Sequence, residues 1–420
     1  MGDCVGHWLN HATFRGNLAG QRDETRMKLE DYRTPLAAVL PQMIDVRRRI
    51  HQNPELAFEE HATSDLVAGL LTGWGYSVHR GIAGTGLVAQ LKVGDGTKAI
   101  GIRADMDALP IVETTALAWA SRRIGTMHAC GHDGHTATLL AAARHLAESR
   151  RFNGTLNLIF QPAEEGAGGG KRMVDEGLFT RFPCDAIFAL HNAPGVPVGT
   201  LAFRTGAAMA SMDSASITVH GKGGHGAMPH SAADPIVAAS AIVMALQTLV
   251  SRNVDPVHTA VVTVGAFHAG NANNVIPQTA QLELTIRSLD RDVRTLLRER
   301  LHALVTAQAQ SFGVRAEIAW REGYPVLVNT AAETAFAAQV GIELVGAAKV
   351  LIDPPPVTGS EDFAFMLEHR PGCYLLMGNG DNTGDGAGSC MVHNPGYDFN
   401  DAAMETGAAY WSLLAERFLV

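Results

Sequence analysis

Over residues 32–71 apolar side chains recur at three- and four-residue intervals: Leu36, Val39, Leu40, Met43 and Ile44, then Leu66, Leu70 and Leu71. That spacing predicts helices. His51-Gln52-Asn53-Pro54-Glu55-Leu56 reads as a loop between them, because proline disfavours helix at the residue before it. Gly73-Trp74-Gly75-Tyr76 ends the second helix. Short apolar runs predict strands at 86–93, 99–104, 155–160, 186–190 and 373–377. Further helices are expected over 136–147 and roughly 401–418.

The last four of these strands share a feature. They run into polar, chemically capable residues: Asp105 and Asp107, then Glu164 and Glu165, then His191-Asn192, then Gly378-Asn379-Gly380. Strands alternating with helices predict a mostly parallel α/β sheet, whose ligand sites lie beyond the carboxyl ends of the strands. Residues 212–321 follow another order, with strands at 214–220, 259–267, 279–287 and 314–320 and helices at 234–250 and 290–310. That is β-α-β-β-α-β, the ferredoxin-like unit. The expected organisation is therefore an extension over 1–30, a discontinuous α/β domain over 31–211 and 322–420, and an inserted domain over 212–321.

Composition bounds this picture. The 420 residues, 46% apolar and 18% charged, suit a globular protein of two domains. A net charge of −9 disfavours nucleic acid or an anionic membrane surface as partner. Cys4, Cys130, Cys184, Cys373 and Cys390 are scattered and odd in number, which points to a reducing compartment, the cytoplasm. No apolar run is expected to span a bilayer, and residues 1–30 lack the apolar segment of a secretory signal.

The most concentrated chemistry is Met127-His128-Ala129-Cys130-Gly131-His132-Asp133-Gly134-His135, one thiol and three imidazoles before a helix. Cys and neutral His are metal ligands, and a thiolate beside a helix N-terminus is expected to have a lowered pKa. A paired-metal hydrolytic site needs four or five N, O or S donors, open positions and a base. Cys130, His132, Glu165, His191 and His393 are the candidates. The adjacent Glu164 and Glu165 allow one carboxylate to bind metal while the other takes a proton from water. Asp107 can orient a ligating imidazole through its second nitrogen. Taken singly, each has an ordinary explanation: a solvated Glu pair, a satisfied His, two turn aspartates. Four separate segments delivering ligand types to one sheet edge favour the metal site.

These residues sit in motifs: Arg103-Ala104-Asp105-Met106-Asp107-Ala108-Leu109-Pro110, Met127–Asp133, Gln161-Pro162-Ala163-Glu164-Glu165, Gly224-His225-Gly226-Ala227-Met228-Pro229-His230, Asn274-Val275-Ile276-Pro277, Gly359-Ser360-Glu361-Asp362-Phe363 and His393-Asn394-Pro395. With them the chain resembles the two-metal peptidases that include glutamate carboxypeptidase and aminoacylase. It looks most like their amidohydrolase branch of hippurate and indoleacetyl-amino acid hydrolases. The resemblance runs over residues 43–418. It implies a phosphorylase/hydrolase-like catalytic domain in which Cys130, His132, Glu165, His191 and His393 hold two divalent ions, zinc, manganese, cobalt or nickel. It implies Glu164 as general base and Asp107 as the acid behind the ligands. The inserted domain would be a lid and dimer interface. There His225 would polarise the scissile carbonyl, often across subunits, and Asn274, Arg287 and Gly359 would contact substrate. Two segments depart from the family pattern, 114–124 and 381–389, and both are expected to border the substrate pocket.

The implied reaction is hydrolysis of an N-acyl amino acid to a carboxylic acid and a free amino acid. The alternatives are a peptidase acting on dipeptides or peptide C-termini, a non-catalytic homologue, and a structural zinc site. Structural sites are closed and four-coordinate, so five dispersed donors and a spare Glu fit the last poorly.

Overall fold

The strand from Ala99 to Asp105 is buried at all but its first residue, as a strand covered on both faces must be. It lies at the centre of the larger sheet in a computed structural model of the chain, which describes residues 28–381, 387–388 and 390–420. Most of the expected N-terminal extension and most of the 381–389 run lie outside the described residues.

Among the described residues the larger sheet has eight strands. Their order is Ser77–Ile82, Gly86–Val93, Gly154–Gln161, Ala99–Asp105, Ala186–Pro194, Gly372–Gly380, Leu201–Phe203 and Val350–Ile352. The four central strands, Gly154–Gln161 through Gly372–Gly380, pair in parallel, so their carboxyl ends open on one edge. Antiparallel pairs flank them on both sides. Ala186–Pro194 runs four residues past the expected end at 190, because Leu376 to Gly380 continue to pair with it. His191 is therefore held within a strand.

Two helices, His132–Ser149 and Ala403–Phe418, are buried on most of their surface. Small residues permit the close approach: a Cβ on Gly407 would lie 2.5 Å from Thr138 Cγ2. The helix Ala331–Val345 and the edge strand Ser77–Ile82 also belong to this domain, and neither is among the elements expected from the sequence.

The chain divides into two compact units. One takes the described chain up to Gly206, with Asn329–Pro355 and Phe365–Val420; the other is Ala207–Val328 with Pro356–Ala364. The second unit holds an antiparallel sheet in the order Ala260–Ala269, Thr279–Ser288, Ser211–His220, Arg315–Glu322. That is the ferredoxin-like order, with the first and third strands central. Asp234 and Asp290 cap its helices, Pro235–Asn253 and Arg291–Ser311, by accepting backbone N–H groups of the first turn. Pro235–Asn253 corrects one expectation, since it is long and apolar enough to cross a bilayer by length and composition. In the fold it buries Ala238, Ala239, Ile242, Leu246 and Leu249 in the hydrophobic core of this unit, at the spacing of one helix face.

Candidate metal centre

The strand end at Asp105 begins the site. Asp105 is fully buried and bonded on both oxygens, taking Arg103 Nη1 on Oδ2 at 2.7 Å and His135 Nδ1 on Oδ1 at 2.7 Å. Burial alone would raise its pKa, but the neighbouring His132, the Arg103 guanidinium and the hydrogen bond from His135 hold it well below the usual carboxylate range. His135 accepts the Asn192 backbone N–H on Nε2 at 3.1 Å. Both its ring nitrogens are occupied, so His135 braces the site and has no lone pair left for a cation.

Asp107, two residues on, ties the next pieces together. His132 Nδ1 lies 2.9 Å from the Asp107 carbonyl and 3.2 Å from Asp107 Oδ1. Asp107 Oδ2 accepts the Glu165 backbone N–H at 2.9 Å. With Nδ1–H donating to Asp107, His132 presents its Nε2 lone pair, which is buried without a hydrogen-bond partner. Burial would lower the His132 pKa, yet Asp105, Asp107 and Glu165 carry it up to about 10. An environment that attracts a proton this strongly attracts a divalent cation by the same field.

Cys130 and His132 are joined by Gly131 at φ 92°. A Cβ there would lie 2.2 Å from Asn192 Oδ1, so only glycine fits. Cys130 Sγ lies 3.3 Å from His191 Nε2. His191 Nδ1 donates to the Asn192 carbonyl at 2.8 Å, leaving Nε2 as the available atom. Burial and the neighbouring His135 hold His191 well below its ordinary pKa, so it is neutral. His393 adopts φ 65°, and its N–H donates to the Ala129 carbonyl at 2.7 Å. Its Nε2 lies 3.2 Å from Glu165 Oε1, an oxygen that has no aligned hydrogen-bond donor.

Donor atoms within 4.8 Å of one another form three relevant sets: Cys130, His132 and His191; Cys130, Glu165 and His393; and His132, Glu164 and Glu165. Cys130 is common to the first two, the arrangement expected of two adjacent cations. The two orphaned atoms, His132 Nε2 and Glu165 Oε1, fit metal ligation as well. One expectation is corrected. The Cys130 thiol is pushed well up, not down, by burial and then by Glu165, Glu164 and Asp105. The helix begins only at His132, and its dipole is outweighed by three carboxylates; deprotonation needs the charge of a bound cation. His128 is buried with both ring nitrogens unpartnered, and burial lowers it to about 4. It joins none of the donor sets.

The remaining candidates lie in the second unit. His225 sits in the two-residue strand Gly224–His225, paired with Val275–Ile276. The Asn274 carbonyl accepts the Gly226 N–H at 2.8 Å, so His225 and Asn274 are neighbours. His225 Nδ1 accepts the Ala227 N–H at 3.0 Å, which leaves Nε2 as the donor in the neutral ring. Arg287 donates to Ser360 Oγ at 2.9 Å, and the carbonyl of adjacent Gly359 accepts the Ala210 N–H at 2.8 Å.

A family model described as peptidase family M20/M25/M40 matches residues 101–417. The chain belongs to that family. Among M20 relatives, a hippurate hydrolase from Campylobacter jejuni is 43% identical over 91% of this chain and 99% of its own length. An N-acetyl-L-cysteine deacetylase from Bacillus subtilis is 38% identical, covering 94% of this chain and 93% of the relative. A solved structure from Bacillus subtilis, described as a dinuclear metal-binding peptidase of the M20 family, superposes with a TM-score of 0.78 at 32% identity. It covers 91% of this chain and 99% of that one.

Two residues that received no role from the sequence brace the site. Asn192 donates to the Cys130 carbonyl at 3.3 Å and accepts the Tyr397 hydroxyl at 2.9 Å, locking the ligand loop. Its position directly after His191 was the available signal. Asp105 looked like a turn residue and is instead the anchor of Arg103 and His135.

Proposed function

We propose that the protein is a metal-dependent amidohydrolase that cleaves N-acyl amino acids of the hippurate type to a carboxylic acid and a free amino acid. The carrying observation is the grouping of the Glu164–Glu165 pair. Glu165 shares a donor set with Cys130 and His393, while both glutamates stand within reach of His132. In this reading Glu165 ligates metal and Glu164 exchanges protons.

Cys130, His132, Glu165, His191 and His393 would hold two divalent cations, with zinc favoured by the soft thiolate and manganese, cobalt or nickel also admitted. Bound cations polarise the scissile carbonyl and bring the pKa of water from about 15.7 towards ~7. Glu164 accepts the proton of the attacking water and returns it to the leaving amine. Asp107 holds His132 in one tautomer and fixes the Glu165 backbone. His225, with Nε2–H as donor, stabilises the developing oxyanion. Asn274 and Arg287 hold the substrate carboxylate or the oxyanion, and Gly359 contacts the substrate; Arg287 is half-buried, and burial lowers its pKa.

The same reading includes a homodimer built on the second unit. Its edge strand Ala260–Ala269 has one side unpaired, and Val237, Met244 and Phe267 are exposed nearby in the chain or on that strand. The same reading places the protein in a reducing, cytoplasmic setting, on the scattered and odd number of its cysteines. The test is turnover by metal-reconstituted protein on hippurate, N-acetyl and indoleacetyl amino acids against a dipeptide panel. Faster dipeptide hydrolysis would replace this reading with a peptidase. Light scattering that gives a monomer would remove the dimer.

A further inference from the structure

The loop that carries Glu164 contains a strained backbone conformation that is anchored from outside the loop. Ala163, fully buried, sits at φ 56°, in the left-handed region that L-residues avoid. Its N–H donates to Glu60 Oε1 at 2.9 Å. The same oxygen accepts the N–H of Phe58 at 3.1 Å, and Phe58 is also left-handed, at φ 64°. Glu60 Oε2 accepts the Thr85 hydroxyl. The carboxyl is wholly buried, yet both oxygens are satisfied. A carboxylate in that position is costly unless its partners are fixed, so the three donors and the Glu60 carboxylate lock one another.

Two further contacts make this more than a local turn. Pro162 is wedged between residues with no side chain: a Cβ on Gly169 would lie 1.7 Å from the Pro162 carbonyl oxygen, and one on Gly86 2.7 Å from Pro162 Cδ. The loop cannot shift there, and the Gly169 N–H donates to the Ala163 carbonyl at 2.9 Å, so the carbonyl side of Ala163 is held within the loop and its N–H side rests on Glu60. The segment that bears Glu60 also holds the other acidic loop, since the Glu55 carbonyl accepts the Ala108 N–H at 2.8 Å, next to Asp107.

We propose that Glu60 is a positioning residue for hydrolysis: it pins Ala163 in its left-handed conformation and so aims Glu164 at the attacking water. The proposal rests on the reading of Glu164 as general base. Without the Glu60 anchor the strain at Ala163 is opposed only by the Gly169 bond to its carbonyl, Ala163 relaxes towards negative φ at the expense of that bond, and the base leaves its line. The five metal donors do not include Glu60, and metal binding persists.

The experiment measures kcat, KM, metal content and melting temperature for Glu60→Ala, Glu60→Gln, Thr85→Val and the double variant Glu60→Ala with Ala163→Gly. All use full-length, metal-loaded protein with hippurate as substrate, and Glu164→Ala is the control. Glu60→Ala is expected to lower kcat about 10- to 100-fold, with KM and bound metal within about twofold of the parent. Glu60→Gln keeps the acceptor oxygen for Ala163 and turns its amide towards the Thr85 hydroxyl, so it recovers most of the rate. Glycine adopts positive φ without strain, so Ala163→Gly restores about fivefold or more of the rate lost in Glu60→Ala. A residue serving only stability would show no such recovery. Thr85→Val loosens the carboxylate without emptying its site and lowers kcat about three- to tenfold, which keeps the test open where Glu60→Ala does not fold. Unchanged kcat in Glu60→Ala or in Thr85→Val overturns the proposal. So does loss of metal in Glu60→Ala that Ala163→Gly leaves unrepaired. A Glu164→Ala enzyme that keeps its rate overturns the base reading instead, and the two failures are told apart.

Discussion

At the scale of single residues, the site depends on which atoms are already spent. Three histidines in the run 127–135 look alike in sequence, and only hydrogen bonding separates them. His135 has both nitrogens bonded, His128 is buried and joins none of the donor sets, and His132 offers one orphaned Nε2. Motif spacing singled out Cys130, His132 and the Glu pair as candidates because they are local. It could not assign Glu60, whose partners Ala163 and Thr85 are 103 and 25 residues away. Two predictions belong here. Glu164→Ala should keep its metal by elemental analysis and lose about 10²- to 10⁴-fold in kcat, the usual worth of general acid–base catalysis. A metal-free protein, or one with near-parental rate, would end that assignment. Asp107→Asn keeps the shape but weakens the acceptor for His132 Nδ1–H and disturbs the Glu165 backbone bond. Its metal affinity, measured by chelator competition, should fall about 10- to 100-fold. Unchanged affinity would make Asp107 a turn residue after all.

At the scale of elements, the helix Leu40–Gln52 braces the metal loops from behind. Arg47, wholly buried, donates to Asp133 at 3.2 Å and to Asp398 at 3.0 Å, and so links the start of the helix His132–Ser149 to the segment after His393. His51 Nδ1 lies 2.9 Å from the same Asp133 oxygen. The apolar spacing predicted this helix from Met43 and Ile44, but the charged residues on its buried face carry no periodic signal. The helix Ala331–Val345 went unread for a related reason: small residues such as Ala337 and Ala338 are buried with little contrast against its exposed alanines. Burial alone would pull the His51 pKa down, but Asp133 and then Glu113 override it and hold it at about 9. The unfolded value is about 6.5. The folded pKa is the higher one, so His51 contributes stability that is complete below pH ~6.5 and is lost as pH rises through about 9. Urea unfolding of the parent should therefore show stability falling between those pH values, with a shallower fall in His51→Gln. Parallel curves for the two proteins would remove His51 as the cause.

At the scale of the whole molecule, the five proposed ligands span residues 130 to 393, and all of them lie in the first unit. The order of strand ends made this edge legible, since parallel strands deliver their carboxyl ends to one side. The acyl pocket is less legible, because the segment 114–124 expected to border it carries no periodic pattern. The division into units has a thermodynamic consequence. A cation that binds only the native state stabilises it by about 2.7 kcal/mol at a hundred times its Kd, and the benefit falls on the elements that supply donors. Chelation should therefore speed backbone hydrogen exchange in peptides covering the ligand loop before Ser149, the Glu164–Glu165 loop and the segment around His393. Peptides from the helices Pro235–Asn253 and Arg291–Ser311, whose core is separate, should exchange at the parental rate. Mass-resolved exchange with and without chelator reads this directly. Equal acceleration in both units would mean that the metal stabilises the chain as one cooperative body, and the ligand set proposed for the first unit would have to be enlarged.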